Sequence, residues 1–150
     1  MKEYEILQSI PKERIDEAIL FSYDYFNTLM PFDAFTAYLK AVSNWDISFY
    51  ILDENDVISG VYFIGNKQVS SLIPAPEYDD LVGVEGVLLA VDDSIRGFGF
   101  GNRLKDLPKT LGVDYIWGQQ FKALNNLEDW LKRRVEVGRT EFVYVTAEKF

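Results

Sequence analysis

The 150-residue sequence contains neither cysteine nor histidine. Their absence removes thiol nucleophiles, thiolate metal sites, imidazole ligands and Ser-His pairs at one stroke. Long apolar runs are missing too: none approaches the ~18 residues that would cross a bilayer, and the charged start Met1-Lys2-Glu3-Tyr4-Glu5 lacks the apolar core of a leader. A soluble, cytoplasmic protein with no membrane partner is expected. Positive charge is scarce, with 15 Lys and Arg against 24 Asp and Glu and a net charge of −9. That balance argues against nucleic acid as the main ligand and favours cationic partners such as amines. A chain of this length is expected to form one domain over residues 1–150 and to bury about two-thirds of its unfolded surface, without covalent staples. Its chemistry must come from carboxylates, tyrosine, lysine, hydroxyls or backbone.

What is present reads as alternating elements. Residues 3–7 suit a strand, and Pro11 suits the first turn of a helix reaching about residue 27, with Ile15, Ala18, Ile19, Ser22 and Phe26 on one face. A second helix is predicted over 32–42, with Phe32, Phe35, Leu39 and Val42 inward and Met30-Pro31 as the break. The aromatic residues of these helices, Tyr23, Tyr25 and Tyr38 among them, belong to the core or to a pocket, and stripes at helical spacing favour core. Strands follow at 47–52 and 57–64 around the turn Asp53-Glu54-Asn55-Asp56, and 67–73 reads as a further strand. After a Pro-rich, acidic loop come a central strand at 81–91, a helix at 102–111, a strand at 115–120 and a helix at about 125–134 with Leu127, Trp130 and Leu131 inward. A hairpin of 135–137 and 142–146 around Gly138-Arg139-Thr140 closes the chain.

Between the central strand and its helix stands Arg96-Gly97-Phe98-Gly99-Phe100-Gly101-Asn102. The three glycines can take φ > 0 and carry no side chain to hold a ligand away, and the first amides of the following helix have no partner within it. Arg96 adds a fixed positive charge. Such a place suits a phosphate. A dinucleotide-type G-x-G-x-x-G counted from Gly97 would need glycine where Asn102 stands, and a Walker A loop would need G-K-[ST]. The plain alternative is a tight strand-to-helix turn. Arg96, Arg103, Lys105 and Lys109 around the loop, with Lys132, Arg133 and Arg134 downstream, gather where a polyanion would sit, or else form solvated helix faces.

Val91, Arg96, Gly97, Gly99 and Gly101 together satisfy V-x-x-x-x-R-G-x-G-x-G, which closely resembles the acyl-CoA-binding motif of the GNAT superfamily of N-acetyltransferases. Arg96, Gly99 and Gly101 meet that family's [QR]-x-x-G-x-[GA] core. The resemblance implies an α/β fold (α+β in some schemes): a mixed, mostly antiparallel central sheet of six to seven strands flanked by about four helices. The element order β-α-α-β-β-β-α-β-α-β-β matches over almost the whole chain, although outside residues 85–102 the match is of pattern only. It further implies acetyl-CoA as co-substrate, with no metal. The backbone from Gly97 through Phe98, Gly99, Phe100 and Gly101 to Asn102 would hold the CoA pyrophosphate, while Leu89, Ala90 and Val91 hydrogen-bond the pantetheine arm. Asn125 and Asn126 would face that arm, although helix capping alone explains an asparagine there.

N-acetyl transfer needs an amine that has lost its proton, a polarised thioester carbonyl and a proton for the leaving thiolate. Glu85 stands six residues before Val91, where the resemblance puts the general base of the protein-acetylating branch. A carboxylate between apolar neighbours on a half-buried strand should have a raised pKa. The alternative has Glu85 facing solvent or pairing with a lysine. Gly83 and Gly86 beside it suggest a bulge or a close approach, leaving a backbone N–H near Leu88 or Leu89 to polarise the carbonyl. The departure from the family lies in the acid: a tyrosine often stands about seven residues after the asparagine, but here that count reaches Lys132 or Arg133. Tyr115 and Tyr144 are the substitutes; otherwise the thiolate leaves unprotonated or takes its proton from water.

The expected function is acetyl-CoA-dependent transfer of an acetyl group to a primary amine of a small molecule, peptide or protein, directly within a ternary complex. The alternative from another class is a catalytically idle GNAT-fold module that binds acyl-CoA or, through its acidic N-terminal half, a protein partner. An unrelated nucleotide-binding α/β protein is the third reading, and a homodimer is left open. The compact size and the run Asn126-Leu127-Glu128-Asp129-Trp130-Leu131-Lys132-Arg133 loosely resemble phage-encoded members, which points to a bacterial or phage source.

Overall fold

A computed structural model describes residues 3–150. Seven strands form a mixed sheet: β1 Tyr4–Gln8, β2 Phe49–Asp53, β3 Ile58–Gly65, β4 Gly83–Val91, β5 Tyr115–Phe121, β6 Val135–Arg139 and β7 Val143–Lys149. Four helices flank it: α1 Ile15–Tyr23, α2 Phe32–Val42, α3 Phe100–Asp106 and α4 Leu127–Trp130. The strand order is β1-β2-β3-β4-β5-β7-β6. The ladders β1–β2, β2–β3, β5–β7 and β6–β7 are antiparallel, whereas β4 and β5 run parallel. The chain packs as two compact units, the first holding residues up to Gly65 with Val87–Leu107, the second Asn66–Gly86 with Pro108–Phe150.

In the first unit, α1 buries Ala18, Ile19 and Ser22 at the predicted spacing, with Ile15 and Phe26 partly covered. It ends at Tyr23 rather than near residue 27, because Tyr25, Phe26 and Leu29 donate to carbonyls three residues back, the tighter turn that cannot continue an α-helix. Helix α2 has the predicted bounds, with Pro31 in extended backbone just before it. Phe35 and Leu39 are its buried residues. Phe32 is 39% exposed instead of inward, resting edge-on against Tyr23 at 5.1 Å between ring centroids. The remaining helical aromatics, Phe21, Tyr23, Tyr25, Phe26, Tyr38 and Trp45, pack partly buried against the core made with Tyr50, Val61, Phe63, Leu88 and Ala90.

In the second unit the alternation of β5 and β7 separates two faces. Tyr115, Trp117, Val143, Val145 and Ala147 pack with Val69, Ile73, Ala75 and Tyr78 into an apolar core. Gly118, Gln120, Tyr144 and Thr146 share the other face through the register Gly118 with Thr146 and Gln120 with Tyr144. The expected strand at 67–73 is absent; a 3-10 turn at Val69–Ser71 takes its place. The reason is Gln68, whose side-chain amide donates to Gly83 O and accepts from Gly83 N–H, both at 2.7 Å, so a side chain makes the bonds that a strand's backbone would. Helix α4 is also shorter than 125–134: Asn125 at φ +50 stops the chain from starting earlier, and Leu131 is 42% exposed. The hairpin's turn lies at 140–142, after β6 has run through Gly138 and Arg139.

Gly83 leaves room for Tyr115, since a Cβ there would meet the ring at 2.3 Å. Gly83→Ala is expected to destabilise the protein by about 1–3 kcal/mol, the usual cost of overpacking, measured as a lower denaturant midpoint at unchanged m-value.

Candidate functional site

The glycine loop, residues 96–102, lies wholly in the first unit. β4 ends at Val91, and Asp92 N–H donates to Ser59 O at 2.8 Å, fixing the exit of the chain. The Asp92 carboxylate accepts from Ser94 N–H at 2.9 Å and so caps the 3-10 turn Asp93–Ile95. Arg96 folds back along the loop. Its Nε donates to Val91 O at 3.3 Å and lies 3.1 Å from Asp93, and its guanidinium sits 5.3 Å from the Tyr25 ring centroid. The head remains more than half exposed, so the pair with Asp93 contributes little to stability and leaves the charge accessible.

Gly97 and Gly99 have φ of +86° and +84°, a backbone that side-chain-bearing residues adopt only with strain. Gly101 differs: its φ is not in that region, and a Cβ built there, as at Gly97 and Gly99, meets no atom of the described residues within 4 Å. A turn explains the first two glycines and leaves the third unexplained. Arg103 N–H donates at 3.0 Å to the carbonyl of Gly99, the N-cap residue of α3, so the amides of Phe100 and Gly101 precede the helical bonding. Phe98 is 67% exposed, while Phe100 packs edge-on to Tyr4 at 5.3 Å and carries Arg103 over its ring at the same distance. Tyr4, Ile95, Phe98, Phe100 and Arg103 line a groove of about 910 Å³. Of the strand residues before the loop, Ala90 and Val91 are buried and Leu89 half-buried; Asn102 is exposed at the start of α3.

The second unit holds Glu85, which is 2% exposed. It neither faces solvent nor pairs with a lysine. Gln119 Nε2 donates to its Oε2 at 3.2 Å. Burial raises the carboxyl pKa above its ordinary value, with the Gln119 hydrogen bond and the charge of Lys67 working in the opposite direction. Gln119 was not among the residues singled out from the sequence, although the register pairs Glu85 with Trp117, two positions before it on the same face.

The remaining expected residues part company. Tyr115 is 1% exposed, its hydroxyl accepting from Val69 N–H and donating to Gln68 Oε1, each at 3.2 Å, so it is a core tyrosine with its hydrogen bonds in use. Tyr144 lies on the opposite face of the β5–β7 pair, half-buried, with Lys122 Nζ and the Arg139 guanidinium 5.2 and 5.0 Å from its ring centroid. Neither asparagine caps a helix with its side chain: Asn125 ends the 3-10 turn Lys122–Leu124 in left-handed backbone, and Asn126, at the N-cap position of α4, makes no capping bond. Asn126 Oδ1 is buried and accepts no hydrogen bond from the described residues. Among the described residues no group of three or more acidic side chains is placed to hold a metal ion, and no helix is long and apolar enough to cross a membrane.

No protein-family model matches the sequence, nor does any curated protein. Solved structures do. A polyamine N-acetyltransferase of Drosophila melanogaster superposes with a TM-score of 0.74 at 12% identity, over 99% of this chain and 100% of that one. An acetyltransferase of GNAT family from Staphylococcus aureus Mu50 gives 0.70 at 12% identity, over 98% and 99%. The PaiA N-acetyltransferase of Thermoplasma acidophilum, solved with coenzyme A, gives 0.64 at 8% identity over 99% of each chain. The chain has the GNAT acetyltransferase fold. Its seven strands and four helices lie within the expected six to seven and about four, and the GNAT likeness extends over nearly the whole chain.

Glu85 favours this GNAT fold while protonated, because burial holds its folded-state pKa above that of the unfolded chain. The contribution is full below the unfolded value and is lost as pH rises through the folded one. Glu85→Gln, neutral throughout, is therefore expected to melt above wild type at about pH 8, the gap closing as pH falls towards about 4. A constant gap across that range would contradict the burial.

Proposed function

We propose that the protein is an acetyl-CoA-dependent N-acetyltransferase that moves an acetyl group to a primary amine of a small molecule, peptide or protein in a ternary complex. The observation that carries the reading is Gly101. A glycine within a helix costs about 0.5–1 kcal/mol relative to alanine, and neither backbone conformation nor a neighbouring atom requires one here. Close approach of a ligand to the main chain does require it. The fold supports the choice of ligand, because GNAT structures with this arrangement include one solved in complex with coenzyme A.

The residues present fit that ligand. The glycine loop offers an open face of backbone to a pyrophosphate, with the accessible charge of Arg96 beside it. Asn126 Oδ1, buried without a donor, matches an amide N–H of the pantetheine arm. Acetyl-CoA, when bound, supplies the activated acyl group. Glu85 receives the proton that the amine gives up, and its raised pKa makes it a stronger proton acceptor than an ordinary carboxylate. The net charge of −9 favours a cationic acceptor, in keeping with the polyamine substrate named for the Drosophila neighbour. One observation favours the alternative of an idle acyl-CoA-binding module: the hydroxyl of Tyr115, one of two expected proton donors, is occupied in the core.

Acetyl-CoA at ~100 times its dissociation constant should stabilise the protein by about 2.7 kcal/mol, read as a rise in melting temperature. Gly101→Val should abolish that rise while leaving the unliganded melting temperature near that of wild type, since its Cβ meets nothing. An unmoved curve for wild type at millimolar acetyl-CoA would end the CoA reading. A thiol-release assay across amines then separates enzyme from module: turnover that Glu85→Gln reduces at least ~100-fold near pH 7 supports the enzyme, and binding without turnover supports the module.

A further inference from the structure

The proposed reaction leaves negative charge on a departing sulfur, and the second unit buries a cationic side chain as well as the Glu85 carboxyl. Arg134, which the sequence puts in the basic run Lys132-Arg133-Arg134, is only 4% exposed. Its guanidinium stacks on Trp130, 4.1 Å from the ring centroid. Nη1 donates to Thr146 Oγ1 at 3.4 Å, and the Thr146 hydroxyl donates in turn to Gln120 Oε1 at 2.7 Å. The position of the head is defined by a missing side chain: a Cβ on Gly118 would lie 2.6 Å from Nη1 and 3.1 Å from Gly86 O.

Those two glycines are the next residues after Trp117 and Glu85, the last rung of the parallel β4–β5 ladder. Side chains alternate along a strand, so Glu85 and Trp117 share one face and Gly118 looks to the other. A buried carboxylate and a buried guanidinium thus stand on opposite faces of the sheet at the same point along it, where the pairing of β4 with β5 ends.

We propose that Arg134 stabilises the thiolate that leaves in acetyl transfer, in place of a proton donor. This rests on the acetyltransferase reading. The amine nitrogen forms its bond to the acyl carbon from the face of Glu85 and passes its extra proton to that carboxylate; the C–S bond breaks, and the electron pair leaves on sulfur towards the opposite face. Arg134 gives no proton; the thiolate leaves as such and is protonated later by solvent. Its fixed charge and N–H groups act in a water-poor setting where such stabilisation is strong.

The experiment uses free CoA bound to the intact protein, with ionisation of its thiol followed through the ultraviolet absorbance of the thiolate. Wild type should lower the pKa of the bound thiol by about one unit or more, a tenfold change in its ionisation constant. Arg134→Met should return it towards the value of free CoA. So should Gly118→Ala, which keeps the arginine but displaces its head, and Thr146→Val, which releases Nη1 with the least disturbance of shape. A bound thiol that ionises like free CoA in wild type, or one that stays low in every folded variant of Arg134, Gly118 and Thr146, overturns the role of Arg134 while the CoA reading stands. Absence of CoA binding to wild type instead removes the acetyltransferase reading and this proposal with it.

Discussion

Three rungs of parallel pairing, Gly83 with Tyr115, Val84 with Ile116 and Glu85 with Trp117, fix which side chains of the second unit meet one another. A slip of one residue would exchange Glu85 for Val84 on the apolar face and undo every contact the carboxylate makes. The register is clamped from several sides. The Tyr115 ring fills the space above Gly83, Gln68 bonds both main-chain groups of Gly83, and Trp117 Nε1 donates to Lys67 O at 2.7 Å. With the register held, Gln119 reaches Glu85 and offsets part of the cost of taking a carboxylate out of water.

Much of this was legible in the chain because local rules and tertiary packing agree. Helix α2 begins after Pro31 and keeps Phe35 and Leu39 at helical spacing, and the structure retains its bounds. The strand, loop and helix from Gly83 to Asp106 follow the pattern of an apolar run, three glycines and an amphipathic segment. Two of the departures, at Gln68 and at Arg134, arise where a side chain takes a role usually held by backbone or a charge goes inside. Nothing local marks Gln68 as a partner for Gly83, fifteen residues away, so a run rich in Val, Ser, Leu and Ile looked like a strand. Arg134 in a run of three cations reads as part of a polyanion site or of a solvated face, and the space left by Gly118 on β5 accommodates its head. Such long-range complementarity has no periodicity to detect.

The loop and the buried pair of charged residues obey different physical demands. Gly97 and Gly99 satisfy the chain's own path, whereas Gly101 leaves an opening that the protein does not fill. Glu85 and Arg134 are each kept from water, a condition that strengthens their electrostatic effects and costs stability. The polar face of β5 and β7, with Gln120, Thr146 and Arg134 linked by hydrogen bonds and Trp130 beneath the guanidinium, holds that charge in one orientation.

Gln68 also bears on how the molecule behaves among its own copies. A strand that displays unpaired N–H and C=O groups is a template for another strand, the usual route to edge-to-edge aggregation. By occupying both main-chain groups of Gly83 with one flexible amide, Gln68 closes that template where the neighbouring Val82 is 63% exposed. A single side chain thus pairs the start of the central strand β4 beyond the end of β3, and neither main-chain group of Gly83 is left bare for a foreign strand.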